Sequence, residues 1–333
     1  MQKMNVVRWG MIGCGSVTER KSAPAYRQVQ GSQLVAVASR NPASAQAYAK
    51  REAVGRVFAD PQQLIHSPEV DAVYIATPPS AHFQLAMAVA EARKPCCVEK
   101  PLCLTSSQSD QLVEAFEAAG QPLFVAYYRR SLPRFRQVKT WIHQGLIGQV
   151  RHVHWSLARA PSASDRAGNL GWRASEEEAP GGYFDDLACH GLDLLDYLVA
   201  PIAEASGVGT NQQGLYQVPD AVAASWKHAN GTTGSGFWNF AASGREDEVR
   251  LIGSEGEARF AIFNDTPLFL QRGPETQRVE IANPDPIQLH HVENMIRHLE
   301  GKNLHPSSGA SAARTDRVME LIRVGSASTG ISR

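Results

Sequence analysis

Short apolar runs recur through the first part of the chain, each closed by a glycine, proline or small polar residue and followed by a stretch of helical character. Val6-Val7-Arg8-Trp9-Gly10-Met11-Ile12 runs into Gly13-Cys14-Gly15-Ser16-Val17-Thr18, a tight turn that opens a helix. Leu34–Ala38 leads through Asn41-Pro42 to an alanine-rich helix from Ala43 to Lys50. Ala72–Ala76 stops at Thr77-Pro78-Pro79, where Ser80 is placed to cap a helix from His82 to Ala92. Pro95–Val98 and Leu123–Tyr127 are the next strands, separated by a helix that starts at Thr105-Ser106-Ser107 and ends at Gly120. Strands apolar on both faces, alternating with helices, predict a parallel sheet covered on each side. Residues 1–127 are therefore expected to form an α/β domain.

Beyond residue 128 the pattern changes. After a helix from Pro133 to Gln144, Val150–Trp155 alternates like a half-exposed strand. Asn230-Gly231 separates a strand at Val222–Trp226 from one at Gly236–Phe240, and Gly253–Gly256 separates Val249–Ile252 from Ala258–Ile262. Strands at Leu268–Leu270 and Val279–Ile281 follow. Residues 128–333 are expected to form an α+β domain with a large, mostly antiparallel open sheet, whose uncovered face suits a homodimer or a dimer of dimers. One helix, from Tyr183 to about Val199 behind Gly181-Gly182, carries Asp186, His190 and Asp193 at i, i+4 and i+7 on one face.

Composition narrows the function classes. The 333 residues hold 33 basic and 33 acidic side chains, so no net field draws in nucleic acid. The arginines after the last apolar strand, Arg129, Arg130, Arg134 and Arg136, begin a helix and offer little phosphate affinity on a neutral chain. Apolar runs are strand-sized and the N-terminus carries no signal-peptide pattern, so no membrane is expected and a cytoplasmic protein is the default. Five cysteines, Cys14, Cys96, Cys97, Cys103 and Cys189, lack Cys-x-x-Cys spacing and read as reduced thiols. His290-His291 has no cysteine or carboxylate cluster to complete a metal site, so no metal is expected.

The chemistry concentrates at strand ends. Gly13 permits a tight turn and Gly15 lets the backbone approach a pyrophosphate, which the helix N-terminus stabilises through unpaired N–H groups. Such a loop also fits flavin or methyl-donor sites, and Thr18 in its third small position predicts a looser helix–strand contact. The second strand ends in Ser39-Arg40, where folds selective for NAD commonly place an acid. A guanidinium favours a ribose 2′-phosphate, so NADP is preferred with NAD still possible. Glu99-Lys100-Pro101 puts a charged pair at the carboxyl end of another strand, where open parallel sheets bind their ligands.

Taken together, Gly13-Cys14-Gly15, Thr77-Pro78-Pro79 with His82, Glu99-Lys100-Pro101, and Gly181-Gly182 leading to Asp186-Leu187-Ala188-Cys189-His190 resemble the glucose-fructose oxidoreductase and inositol dehydrogenase family, Gfo/Idh/MocA. The resemblance spans nearly the whole chain. It implies an N-terminal Rossmann domain, a C-terminal substrate-binding and oligomerisation domain, and reversible hydride transfer between NAD(P) and a sugar, polyol or related carbonyl compound. It implies a catalytic trio that maps onto Lys100, Asp186 and His190. Family reductases of anhydro-sugars carry a Trp-Arg pair near the cofactor, similar to Trp172-Arg173. The cofactor-binding set expected here is Gly13, Cys14, Gly15, Ser16, Val17, Ser39, Arg40, Thr77, Pro78, His82, Glu99, Lys100, Arg130, Trp172 and Arg173.

Hydride transfer at a carbinol carbon leaves a proton to be moved on oxygen, which calls for a general acid/base and a donor for developing alkoxide charge. His190 suits the first role and Lys100 the second, with Asp186 orienting substrate or tuning the histidine. The competing reading is a catalytically inactive cofactor-sensing protein of the same fold.

Overall fold

In a computed structural model of the protein, the described residues are 6–15 and 17–325, which leaves Ser16 outside them. The chain divides into two compact units, one made of the residues up to Leu132 together with Pro284–Ala313, the other of Pro133–Asn283 together with the residues from Arg314 on.

The first unit is built on strands β1 (Val7–Ile12), β2 (Ser32–Ala38), β3 (Arg56–Phe58), β4 (Ala72–Ile75), β5 (Cys96–Val98) and β6 (Leu123–Val125). All pair in parallel, in the order β3-β2-β1-β4-β5-β6. The order reverses between β1 and β4, and at such a switch point a crevice opens outside the strands' carboxyl ends. Helices α1 (Ala23–Gln28), α2 (Pro42–Glu52), α3 (Pro61–His66), α4 (His82–Glu91) and α5 (Ser106–Ala119) connect the strands.

The helix ends follow from local chemistry. Asn41 caps α2 by accepting from Ser44 N, and Thr105 caps α5 by accepting from Gln108 N. Gly120 ends α5 in the left-handed conformation. Ser80 does not cap α4: a 3₁₀ turn over Pro79–Ala81 intervenes, and Ala81 stands at the cap position without a side-chain bond.

A contiguous division at 127/128 leaves residues 284–313 with the second half, whereas they pack with the first unit. The reason is the apolar face of α9 (Leu289–Leu299), whose Val292, Met295 and Ile296 join the core formed by Trp9, Tyr26, Tyr74 and Phe124.

In the second unit, helix α6 (Pro133–His143) precedes strand β7 (Val150–Ala158), which is followed by the short α7 (Ala163–Arg166) and the long α8 (Tyr183–Leu198). Strands β8 (Ile202–Thr210), β9 (Ala221–His228), β10 (Thr233–Asn239), β11 (Glu246–Gly253), β12 (Glu257–Phe260), β13 (Leu268–Arg272) and β14 (Glu275–Val279) complete an eight-stranded sheet. Its order is β14-β13-β12-β11-β7-β10-β9-β8, and only β7 and β10 run parallel. Asn230-Gly231 and Ser254–Gly256 turn the expected hairpins, but the last pair turns at Gly273, whose φ is +54°. The final strand consequently ends at Val279, where the sequence pattern has it begin.

One face of this sheet buries Trp155 and Trp238, edge to face at 5.3 Å, against Phe184 of α8. Helix α10 (Gly309–Gly325) closes the described chain. No helix among the described residues is long and apolar enough to cross a membrane.

Candidate active site

The carboxyl ends of β1, β2 and β4 border a cavity of about 440 Å³ lined by Gly13, Cys14, Gly15, Ser39, Arg40, Thr77 and Pro78, with Ser44, Gln62 and Gln84 among the other walls. Gly13 has φ +104°, and a Cβ there would sit 2.5 Å from the Ala76 carbonyl oxygen, so only glycine lets the β1 and β4 loops approach this closely. Gly15 has open space where its Cβ would point, which leaves backbone exposed to a ligand.

Thr18 occupies the third small position of the loop. It is fully buried, its Oγ1 donates to Gly15 O at 2.6 Å, and the wide π-helical turn Thr18–Ser22 makes room for the branched side chain before α1 begins. Burial pushes the Cys14 thiol up to about 11, so it stays neutral at working pH and adds no negative charge beside a phosphate.

These residues fit a dinucleotide. The cavity follows the switch point, its loop backbone is open, and the Thr77 Oγ1 among its lining is buried without a hydrogen-bond partner. Arg40 is exposed and Ser39 half-buried at the rim next to β2.

The cavity brings together seven of the residues expected from sequence; Val17, His82, Glu99, Lys100 and Arg130 do not line it. His82 is fully buried, with its two ring nitrogens 2.9 Å from the carbonyl oxygens of Thr77 and Pro101, so it ties the loop after β4 to the loop after β5. Burial lowers its pKa, against the opposing pull of those carbonyls. Glu99 accepts from Tyr74 Oη at 2.6 Å and from Lys100 N at 3.3 Å, which fixes the start of the Lys100 segment two residues beyond β5. Lys100 itself is half-buried. Arg130 is buried and donates to Pro306 O at 3.2 Å. Arg129 and Arg134 are also buried, whereas Arg136 is exposed.

On α8 the three polar residues part company. Asp186 accepts from Arg173 Nε at 2.5 Å, and the Arg173 guanidinium lies 4.4 Å from the Trp172 ring. The Trp172–Ala174 turn is thus pinned to the first turn of α8. Asp193, fully buried, accepts from Thr315 Oγ1 at 3.3 Å and serves helix packing. His190 lies between them, buried, with the Phe263 ring edge-on at 6.0 Å.

Asp185 holds the helix entry by accepting from Gly181 N and Arg323 Nη1, both at 2.7 Å. Sequence reading missed Ser44, Gln62 and Gln84. The short strand β3 and helix α3, which bring Gln62 to the cavity, give almost no periodic signal. The Asp60-Pro61 pair, an N-cap followed by proline, was the available clue.

The family described as "Oxidoreductase family, NAD-binding Rossmann fold" matches residues 7–127, and the GFO/IDH/MocA C-terminal domain matches residues 135–259. An oxidoreductase from Formosa agariphila is 31% identical over 316 residues, covering 95% of this chain and 98% of that one. The 1,5-anhydro-D-fructose reductase of Ensifer adhaerens is 26% identical over 256 residues, covering 75% and 74%. Among solved structures, a levoglucosan dehydrogenase in complex with NADH and L-sorbose shares the fold with a TM-score of 0.89 at 23% identity, covering 97% of each chain.

Proposed function

The chain belongs to the GFO/IDH/MocA family of oxidoreductases with an NAD-binding Rossmann fold, and from that premise we propose that it transfers a hydride between a nicotinamide dinucleotide and a cyclic sugar, polyol or related carbonyl compound. The observation that carries the reading is the gathering of the Gly13–Gly15 loop, Thr77 and Lys100 at the carboxyl ends of three adjacent strands, β1, β4 and β5. The names of the relatives, a reductase of 1,5-anhydro-D-fructose and a levoglucosan dehydrogenase, support a ring-shaped polyhydroxylated substrate.

In this reading the residues up to 127 bind the dinucleotide, and those from 128 on bind substrate and form the oligomer. Gly13 to Val17 hold the pyrophosphate on backbone N–H groups, and the nicotinamide supplies or accepts the hydride when bound. Lys100 donates to the reacting oxygen and stabilises its developing charge. His190 moves the proton on that oxygen, and Asp186, oriented by Arg173, positions a substrate hydroxyl or the imidazole. Arg40 and Ser39 take a ribose 2′-phosphate, which favours NADP over NAD.

The outer face of the eight-stranded sheet, carrying His152, His154 and Ser235, joins two copies into a homodimer or a dimer of dimers. Five free thiols accord with a cytoplasmic setting.

The test is a screen of purified protein with NADPH and NADH against 1,5-anhydro-D-fructose and keto-sugars, and with the oxidised cofactors against levoglucosan, myo-inositol and D-sorbitol. Cofactor-dependent turnover of a cyclic substrate is expected; absence of turnover across the panel contradicts the substrate class. Arg40→Ala is expected to erase a preference for NADP, and an unchanged preference refutes the role of Arg40.

A further inference from the structure

The connection between β12 and β13, residues 261–267, is irregular yet held at both polarities. Asp247 of β11 accepts three consecutive backbone N–H groups, from Ile262 at 3.1 Å, Phe263 at 2.6 Å and Asn264 at 3.2 Å. Arg134 of α6, buried, donates to the carbonyl oxygens of Asn264 and Thr266, each at 2.8 Å. Arg245 and Asn283 hold the side chains of Asn264 and Asp265.

Desolvating a buried guanidinium is costly, and Arg134 directs both Nη groups at this loop, Nη1 to Asn264 O and Asp265 Oδ1 and Nη2 to Thr266 O. What this loop fixes is Phe263. Its ring is half-exposed instead of joining the core, and it stands edge-on to the His190 imidazole at 6.0 Å and 78°.

We infer that Phe263 is a substrate-positioning wall: its phenyl face stacks on the apolar C–H face of a ring-shaped sugar or cyclitol and holds the reacting carbinol beside His190, while Asp247 and Arg134 act as positioning residues for Phe263. This rests on the reading of His190 as part of the site. An open-chain polyol presents no flat C–H face, so the wall selects for cyclic substrates.

The experiment compares kcat and KM for the best cyclic substrate of the panel and for D-sorbitol in wild type, Phe263→Ala, Phe263→Tyr and Asp247→Asn. Phe263→Ala is expected to raise KM for the cyclic substrate on the order of tenfold, with the cofactor KM and D-sorbitol kinetics unchanged. Phe263→Tyr is expected to restore the preference, and Asp247→Asn to reproduce the loss in part. Should Phe263→Ala fold poorly, Phe263→Leu keeps volume without the ring and is read the same way.

A cyclic-to-linear ratio within about twofold of wild type in the alanine or leucine variant overturns the wall, whatever His190→Ala does. A collapsed ratio together with full turnover by His190→Ala keeps the wall and removes the histidine from the mechanism.

Discussion

Gly191 follows His190 on α8, and the effect of giving it a side chain can be worked out from its surroundings. A Cβ at this position would lie 2.3 Å from two ring carbons of Trp155 and 2.8 Å from a third. Trp155 is fully buried on a central strand and packed edge to face on Trp238, so the ring is no flexible end that can swing aside. Restoring ordinary carbon–carbon contact, about 3.5–4.0 Å, requires α8 or β7 to yield by roughly 1 Å.

Helix propensity alone makes Gly→Ala favourable by about 0.5–1 kcal/mol, while overpacking a filled core costs about 1–3 kcal/mol. The steric side wins, and Gly191→Ala is expected to lose about 1–2 kcal/mol of stability, a fall of several degrees in Tm. The shift is transmitted to the adjacent His190, and misplacement of about 1 Å lowers turnover by up to about a hundredfold. Thermal unfolding by circular dichroism and steady-state kinetics read both effects, with the cofactor KM unchanged because the glycine loop lies in the other unit. A Gly191→Ala protein as stable as wild type with full kcat would refute the reasoning.

Two further outcomes follow from the same structure. Burial lowers the pKa of His305 from its ordinary 6.5 to about 4, and His291 and His82 move in the same direction. The unfolded chain therefore takes up more protons as pH falls below about 6.5, and stability is lost from there down to about pH 4, where folded His305 itself protonates. His305 alone contributes a loss of about 2 kcal/mol between pH 7.5 and 5; urea unfolding should show it, with a shallower pH slope in His305→Gln, and equal slopes would count against the buried-imidazole account. Arg173→Ala removes the 2.5 Å bond to Asp186 and is expected to lower kcat/KM for substrate by about 10- to 100-fold, and Arg173→Lys should not rescue it. A rise confined to the cofactor KM would instead place Arg173 on the dinucleotide.

Much of this was legible in the sequence, because period and punctuation act locally. The strands leading to Gly13, Thr77 and Lys100 are apolar on both faces and end at glycine or proline, so their carboxyl ends, and hence the chemistry there, could be located without tertiary information. The Asp186–His190 spacing likewise follows from helix geometry alone. What was not legible depended on distant partners. Nothing local distinguishes Asp193, which bonds Thr315, from Asp186, which bonds Arg173. His82 reads as a cofactor-side residue at the start of a helix, and nothing local shows that the carbonyls of Thr77 and Pro101 enclose it. The placement of α9 with the first unit depends on an apolar face meeting Trp9 and Tyr26 across more than 260 residues of chain.

The central claim, that Lys100 and His190 carry the proton and charge on the reacting oxygen, is tested most directly by pre-steady-state oxidation of NADPH with the best carbonyl substrate in wild type, Lys100→Met and His190→Ala. The account predicts that both variants still bind the cofactor, as read by NADPH fluorescence, and that the rate of the hydride step falls by about 10²–10⁴-fold in each. Full-rate hydride transfer in both variants would contradict it.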